Sequence, residues 1–161
     1  HIGQQIIVAV HTALEAYLKL KFEEYYKYRL ASVNPELLEE SLKQFRFRSL
    51  NDFKEFYLKC FKIHLPSFDI DFFSYNKSSF QPETSWDALV LIAKTRNEIV
   101  HLGESQNYKV ITLMDSWYPF DFVRRWVSLF DTNCDSWVYQ GLQYQLFREH
   151  AERARQQGLL I

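Results

Sequence analysis

From Ile2 to Leu30 the chain keeps one apolar stripe, in which Ile6, Ile7, Val10, Ala13, Leu14, Tyr17, Leu18 and Phe22 recur at three- and four-residue steps, with no proline and no glycine after Gly3. That spacing follows the 3.6-residue period of an α-helix, so it predicts one long amphipathic helix. A stripe of this length needs other helices to cover it. Asn34-Pro35-Glu36 supplies the next start, combining a capping side chain, a first-turn proline and a first-turn acid, and a second helix is expected from there to about Phe45. Ser49 or Asn51 opens a third, with Phe53, Phe56, Tyr57, Cys60 and Phe61 on its apolar face and an end near Pro66.

Between Leu65 and Ser85 the pattern dissolves into Pro, Ser, Asn and scattered aromatics, which reads as a long loop pinned by Phe side chains rather than a domain boundary. Thr84 or Ser85 then caps a fourth helix, with Glu83 and Asp87 near its positive end. Trp86, Leu89, Val90, Ala93 and Val100 are expected to face inward, and Gly103 to end the helix after His101. The run Val110-Ile111-Thr112-Leu113 suits strand or helix, and its helical neighbours favour helix. A break follows at Pro119, then Phe122 to Phe130, then a C-terminal helix over about 136–157.

At 161 residues the chain fits one domain, with a core over about 2–131. The expected fold class is all-α, an antiparallel bundle of five or six helices. Aromatic side chains make up 17% of the residues, and their helical spacing assigns them to core packing rather than to a base-stacking platform. The chain opens at His1 without an initiator Met, so a piece of a longer protein is expected. No apolar run approaches the roughly 18 to 20 residues of a membrane helix, and no signal pattern opens the chain, so a soluble cytoplasmic protein with no membrane partner is expected.

A formal net charge of -1 removes the argument from a strongly basic domain, so any nucleic-acid site has to be local. From Lys43 to Lys62, the cations Lys43, Arg46, Arg48, Lys54, Lys59 and Lys62 outnumber Asp52 and Glu55. A solvated helix face is the favoured reading of that run, with a phosphate groove as the other. Cys60 and Cys134 form no CxxC pattern and read as isolated buried thiols of a reducing compartment.

The chemistry concentrates in Arg96-Asn97-Glu98-Ile99-Val100-His101. Each helical residue advances about 100°, so Asn97 and His101, four apart, share a face, and Arg96 beside them carries a side chain long enough to reach across. Imidazole transfers protons near neutrality, guanidinium grips phosphate or steadies a phosphorane, and the Asn amide can orient the imidazole. A plainer assignment has Arg96 paired with a carboxylate and His101 capping the helix end.

This segment resembles the R-x4-H motif of the HEPN superfamily, in the version with a polar residue directly after the Arg. The resemblance covers residues 89–104 as motif and about Ile6 to Phe130 as architecture. It implies a HEPN-like bundle and a metal-independent endoribonuclease that works as a homodimer on an RNA substrate, needs no cofactor and leaves a 2′,3′-cyclic phosphate. Arg96 and His101 become the catalytic pair, Asn97 their support, and Lys94, Arg46 and Arg48 candidate RNA contacts. The same families place an acid in the first helix near the Arg, and Leu14-Glu15-Ala16-Tyr17-Leu18 is similar to that segment, which makes Glu15 a supporting residue. Glu15 lies beside the apolar stripe, so it is either drawn inward or left as a solvent-facing carboxylate. A toxin or antiviral defence effector is implied, restrained by an antitoxin or other regulatory partner. HEPN toxins silenced by nucleotide transfer carry a Tyr two residues after the His, where this chain has Gly103.

The alternative is a non-catalytic HEPN module that dimerises or binds nucleotide for a larger defence protein. Other chemistries lack support. His11, His64 and His150 are scattered with no partner at ligand spacing, so no metal site is expected. Gly3, Gly103, Gly141 and Gly158 are isolated, and neither a glycine-rich phosphate loop nor a GxSxG elbow is present.

Overall fold

The computed structural model describes residues 2–30, 34–71, 80–106, 108–110 and 112–156, with side chains described as far as Asp135. Among the described residues there are five α-helices, one short 3-10 turn and no strand. They are α1 (Ile2–Arg29), α2 (Pro35–Leu42), α3 (Leu50–Phe61), the turn at Leu65–Ser67, α4 (Ser85–Leu102) and α5 (Leu113–Gln156). The fold is an all-α helical bundle. No helix among the described residues is long and apolar enough to cross a membrane.

Helix ends follow local chemistry. The Asn34 side chain accepts from the Glu36 amide at 2.9 Å, though α2 stops at Leu42, short of Phe45. Ser49, not Asn51, caps α3 through a reciprocal box in which the Asp52 amide donates to Ser49 Oγ and Asp52 Oδ2 accepts from the Ser49 amide. That helix ends at Phe61, before Pro66, because Lys62 turns left-handed with φ 62°. Thr84, not Ser85, caps α4, leaving the Ser85 hydroxyl to accept from the Ile70 amide at 2.8 Å and tie down the preceding loop. Gly103 closes α4 at φ 82°, a conformation that Cβ-bearing residues rarely adopt. Residues 72–79 of the expected long loop lie outside the described residues.

Two expectations about the second half are corrected. Val110 and Thr112 are not helical and Ile111 lies outside the described residues; Thr112 precedes α5, its amide and hydroxyl both donating to Asp115 Oδ2. The chain does not break at Pro119 either, for α5 runs straight through it. A proline inside a helix removes one amide donor and orphans the carbonyl four residues earlier. That carbonyl belongs to Asp115, and the Tyr108 hydroxyl donates to it at 2.6 Å from outside the helix. The missing bond is replaced by a tertiary one.

α1 is the central element, packing against α5, α4 and α3. α4 runs antiparallel to it, since Ile99 sits by Gln4 and the charge of Arg96 acts on Glu15. α5 runs the same way as α1: a Cβ at Gly3 would come within 2.7 Å of Val110 just ahead of α5, while Tyr25 bonds Asp135. The core holds Ile7, Leu14, Leu18, Phe22, Tyr25, Trp126 and Phe130, all essentially inaccessible. Phe22 sits within 4.8 to 5.6 Å of the rings of Phe45, Phe47, Tyr57 and Phe61, in edge-on or tilted arrangements. These aromatics serve the core, whereas Tyr28, Trp117 and Phe120 are exposed; a buried Phe of this kind contributes about 1.5 to 3 kcal/mol by apolar burial. Val100, expected inward, is 51% exposed; Ser85, Ala88, Leu89, Ile92 and Thr95 are the buried positions. Both cysteines are free thiols, Cys134 buried and Cys60 half-buried.

Replacing Tyr108 with Phe should destabilise the fold by about 1 to 2 kcal/mol, because the Asp115 carbonyl then loses its donor. Pro119→Ala restores a backbone amide at that place. In the Pro119→Ala background the Tyr108→Phe loss should shrink by at least half in denaturant titrations. Strictly additive losses would contradict the assignment.

Candidate functional site

Arg96 lies one residue beyond Thr95, the last fully buried side chain of α4, and this places its guanidinium at the seam with α1. Its Nη1 donates to Asn97 Oδ1 at 2.9 Å, while its Nε is buried without a partner. Across the seam α1 presents His11 and Glu15, one turn apart. His11 is 3% exposed, and its Nδ1 stands 3.5 Å from Glu15 Oε2, beyond a good hydrogen bond. Neither imidazole nitrogen has a hydrogen-bond partner.

Burial, reinforced by the charge of Arg96, lowers the His11 pKa from 6.5 to about 4, so the ring is neutral at physiological pH. Burial raises the Glu15 carboxyl above its ordinary range, and Arg96 opposes that rise. Arg96 therefore acts electrostatically on both α1 groups. The first-helix acid is half-buried, its side chain 33% exposed.

In the sequence His11 has no partner at metal-ligand spacing and so carries no motif. The available signal was a buried-stripe histidine four residues before an acid, together with a cation that only the tertiary fold brings near. Among the described residues, no group of three or more His, Cys, Asp or Glu side chains is arranged to hold a metal ion.

The expected convergence of three groups is met by two of them. Arg96 and Asn97 are bonded, but His101 is exposed and lies five residues on from Arg96, about 140° around the helix. His101 instead shares an outer stripe of α4 with Lys94 and Asn97, all three exposed. Arg46 and Arg48, also exposed, precede α3 on a different element. Glu98, inside the motif, anchors the segment after α4: Ser105 Oγ and the Gln106 amide donate to its Oε2 at 2.6 and 2.7 Å. A shallow apolar groove of about 720 Å³ runs over Ala9, Thr12, Ala13 and Ala16 of α1 and meets α4 at Ile99.

The depressed His11 pKa has a signed consequence. Between pH 6.5 and about 4 the unfolded chain takes up a proton that the folded chain refuses, so stability falls as pH drops through that window. The loss approaches roughly 3 kcal/mol at its lower end. His11→Leu should abolish that part of the acid sensitivity, narrowing the gap between denaturation midpoints at pH 7 and pH 4.5 relative to wild type. An unchanged gap would show that His11 ionises freely in the fold. No family model, curated protein or solved structure matches the chain, so the roles of these residues are argued from their geometry and chemistry.

Proposed function

We propose that this chain is a HEPN-type domain and a metal-independent endoribonuclease. The observation that carries this reading is Arg96 at the α1–α4 seam, facing the Glu15 carboxyl electrostatically, bonded to Asn97 and flanked by the exposed stripe of Lys94, Asn97 and His101. Glu15 steadies the guanidinium, which offsets charge on the reacting phosphate. An imidazole takes the proton of a ribose 2′-hydroxyl, and O2′ attacks the adjacent phosphorus. The bond to the 5′-oxygen breaks, that oxygen is protonated, and a 2′,3′-cyclic phosphate and a 5′-hydroxyl result. Lys94, together with Arg46 and Arg48, draws in the RNA backbone.

The angular gap between Arg96 and His101 supports a site pooled from two copies, because within one copy the imidazole and the guanidinium lie on different faces of α4. A homodimer is therefore the working unit. The resemblance places such an enzyme among toxins and defence effectors held in check by a regulatory partner. The same gap also favours a second reading, a dimerisation or nucleotide-binding module without catalysis, since one copy alone does not set His101 against Arg96.

His101→Ala should reduce cleavage of RNA about 100-fold or more while leaving the melting temperature nearly unchanged, since the imidazole is exposed. Arg96→Ala should lose as much, and Arg96→Lys should recover little, because an ammonium does not reproduce the planar fork. Cleavage with wild-type rates in His101→Ala would remove His101 from the reaction and overturn the Arg96–His101 site.

The wild-type domain should cleave in EDTA, leave cyclic-phosphate ends, and lose specific activity on dilution below its dimer dissociation constant. Activity that requires added magnesium or manganese would overturn the chemistry. Constant specific activity down to pure monomer would overturn the shared site. Intact RNA alongside a stable dimer would favour the second reading.

A further inference from the structure

Four buried side-chain atoms stand without a hydrogen-bond partner among the described residues: both imidazole nitrogens of His11, Thr95 Oγ1 and Arg96 Nε. All belong to α1 and α4, the two helices that meet at the candidate site. Elsewhere the buried face of α1 is occupied by Ile7, Val10, Leu14 and Leu18, so an aliphatic side chain would suit position 11 on packing grounds alone. An imidazole there gives up water on both nitrogens and gains no bond in return.

We infer that His11 is a positioning residue: a neutral imidazole that donates from Nδ1 to Glu15 Oε2 and accepts at Nε2 from Arg96 Nε when RNA is bound, locking carboxylate and guanidinium in one orientation. The catalytic consequence rests on the ribonuclease reading; the tautomer and the charge state do not. The 3.5 Å separation between Nδ1 and Oε2 is short enough for a modest movement to turn it into a hydrogen bond. The chemistry of the three groups is complementary. Neutral imidazole carries one donor and one acceptor, Glu15 offers an acceptor, and Arg96 Nε offers a donor. In the bound state α4 closes on α1 and the three groups pair.

Neutrality is essential to this role. A protonated ring would have no acceptor for Arg96 and would compete with it for Glu15. The groups that act on the ring are Glu15 from its own helix and Arg96 from α4, and burial together with Arg96 keeps it uncharged. His11 touches neither the phosphate nor the 2′-hydroxyl in this scheme, which separates its role from that of His101.

Two measurements test the inference. In ¹⁵N NMR of the wild-type protein, His11 should be neutral with its proton on Nδ1 from pH 8 down to about 5, and its pKa should rise in Arg96→Ala. An Nε2–H tautomer, or a ring charged near neutrality, overturns the proposal whether or not the protein cleaves RNA. In kinetics, His11→Leu should lower kcat about tenfold or more with KM within about twofold, at undiminished melting temperature. His11→Asn, whose amide nitrogen can stand near Nδ1 and restore the donor to Glu15, should regain part of that rate. Wild-type kcat in His11→Leu, or no recovery in His11→Asn, overturns it. If His11→Leu does not fold, the NMR arm and His11→Asn decide. Loss of cleavage in Arg96→Ala and His101→Ala but not in His11→Leu would leave the ribonuclease reading standing and remove only this role.

Discussion

The contact between α1 and α5 fixes everything else, because it places a 28-residue helix in the middle of the bundle in one register. Tyr17, Lys21 and Tyr25, spaced one turn apart on α1, meet Asp131 and Asp135, one turn apart on α5. The Tyr17 hydroxyl donates to Asp131 and the Tyr25 hydroxyl to Asp135, while Lys21 Nζ bonds both Asp135 oxygens at 3.1 and 3.2 Å. Burial, and then the carboxylates that they face, hold both phenols well above their ordinary pKa, so they remain donors. A slip of one residue along either helix would strand these groups on the wrong faces. The clasp closes a core whose aromatic rings supply the non-specific part of the stability.

The opposite edge of the same helix is built differently. Toward α5 the polar groups of α1 are paired; toward α4, His11 has no bond and stands 3.5 Å from Glu15. Both edges are made by one regular helix, so backbone geometry does not explain the contrast. The difference lies in the partner: α5 supplies carboxylates that accept from tyrosine and lysine, whereas α4 buries the imidazole and adds a cation, both of which depress its pKa, and gives its nitrogens no partner. Buried polar groups normally find partners, and an exception on one seam is informative about that seam.

What the sequence disclosed was what short-range chemistry decides. The starts at Asn34, Ser49 and Thr84 and the stop at Gly103 are each set within three residues, and each is recognisable from those residues. Pro119 was misleading because its compensation comes from Tyr108, a side chain outside the helix whose approach depends on how the segment after α4 folds back. Val100 was misleading for a related reason: a periodic pattern marks a broad stripe, but the position of α1 decides which edge of it is covered. In the site, the nearness of Glu15 to Arg96 was anticipated by resemblance and Asn97 by adjacency. His11 was not, because its meaning depends on a guanidinium 85 positions away in the chain, and no spacing rule reaches that far.

The five-residue step from Arg96 to His101 bears on the reading of the whole segment. On a straight helix that step turns the second residue about 140° away from the first, and α4 is regular from Ser85 to Leu102. Arg96 is accordingly held at the seam with α1, while His101 joins Lys94 and Asn97 on the open side. A flexible imidazole at the last turn does not cross that angle without leaving its own face. The two residues can serve one reaction only if something outside this helix brings a surface to each of them. Asn97 stands between the two faces, its Oδ1 accepting from Arg96 Nη1 at 2.9 Å. Asn97 is thus the hinge of the arrangement, since it is bonded to one functional group and shares a face with the other.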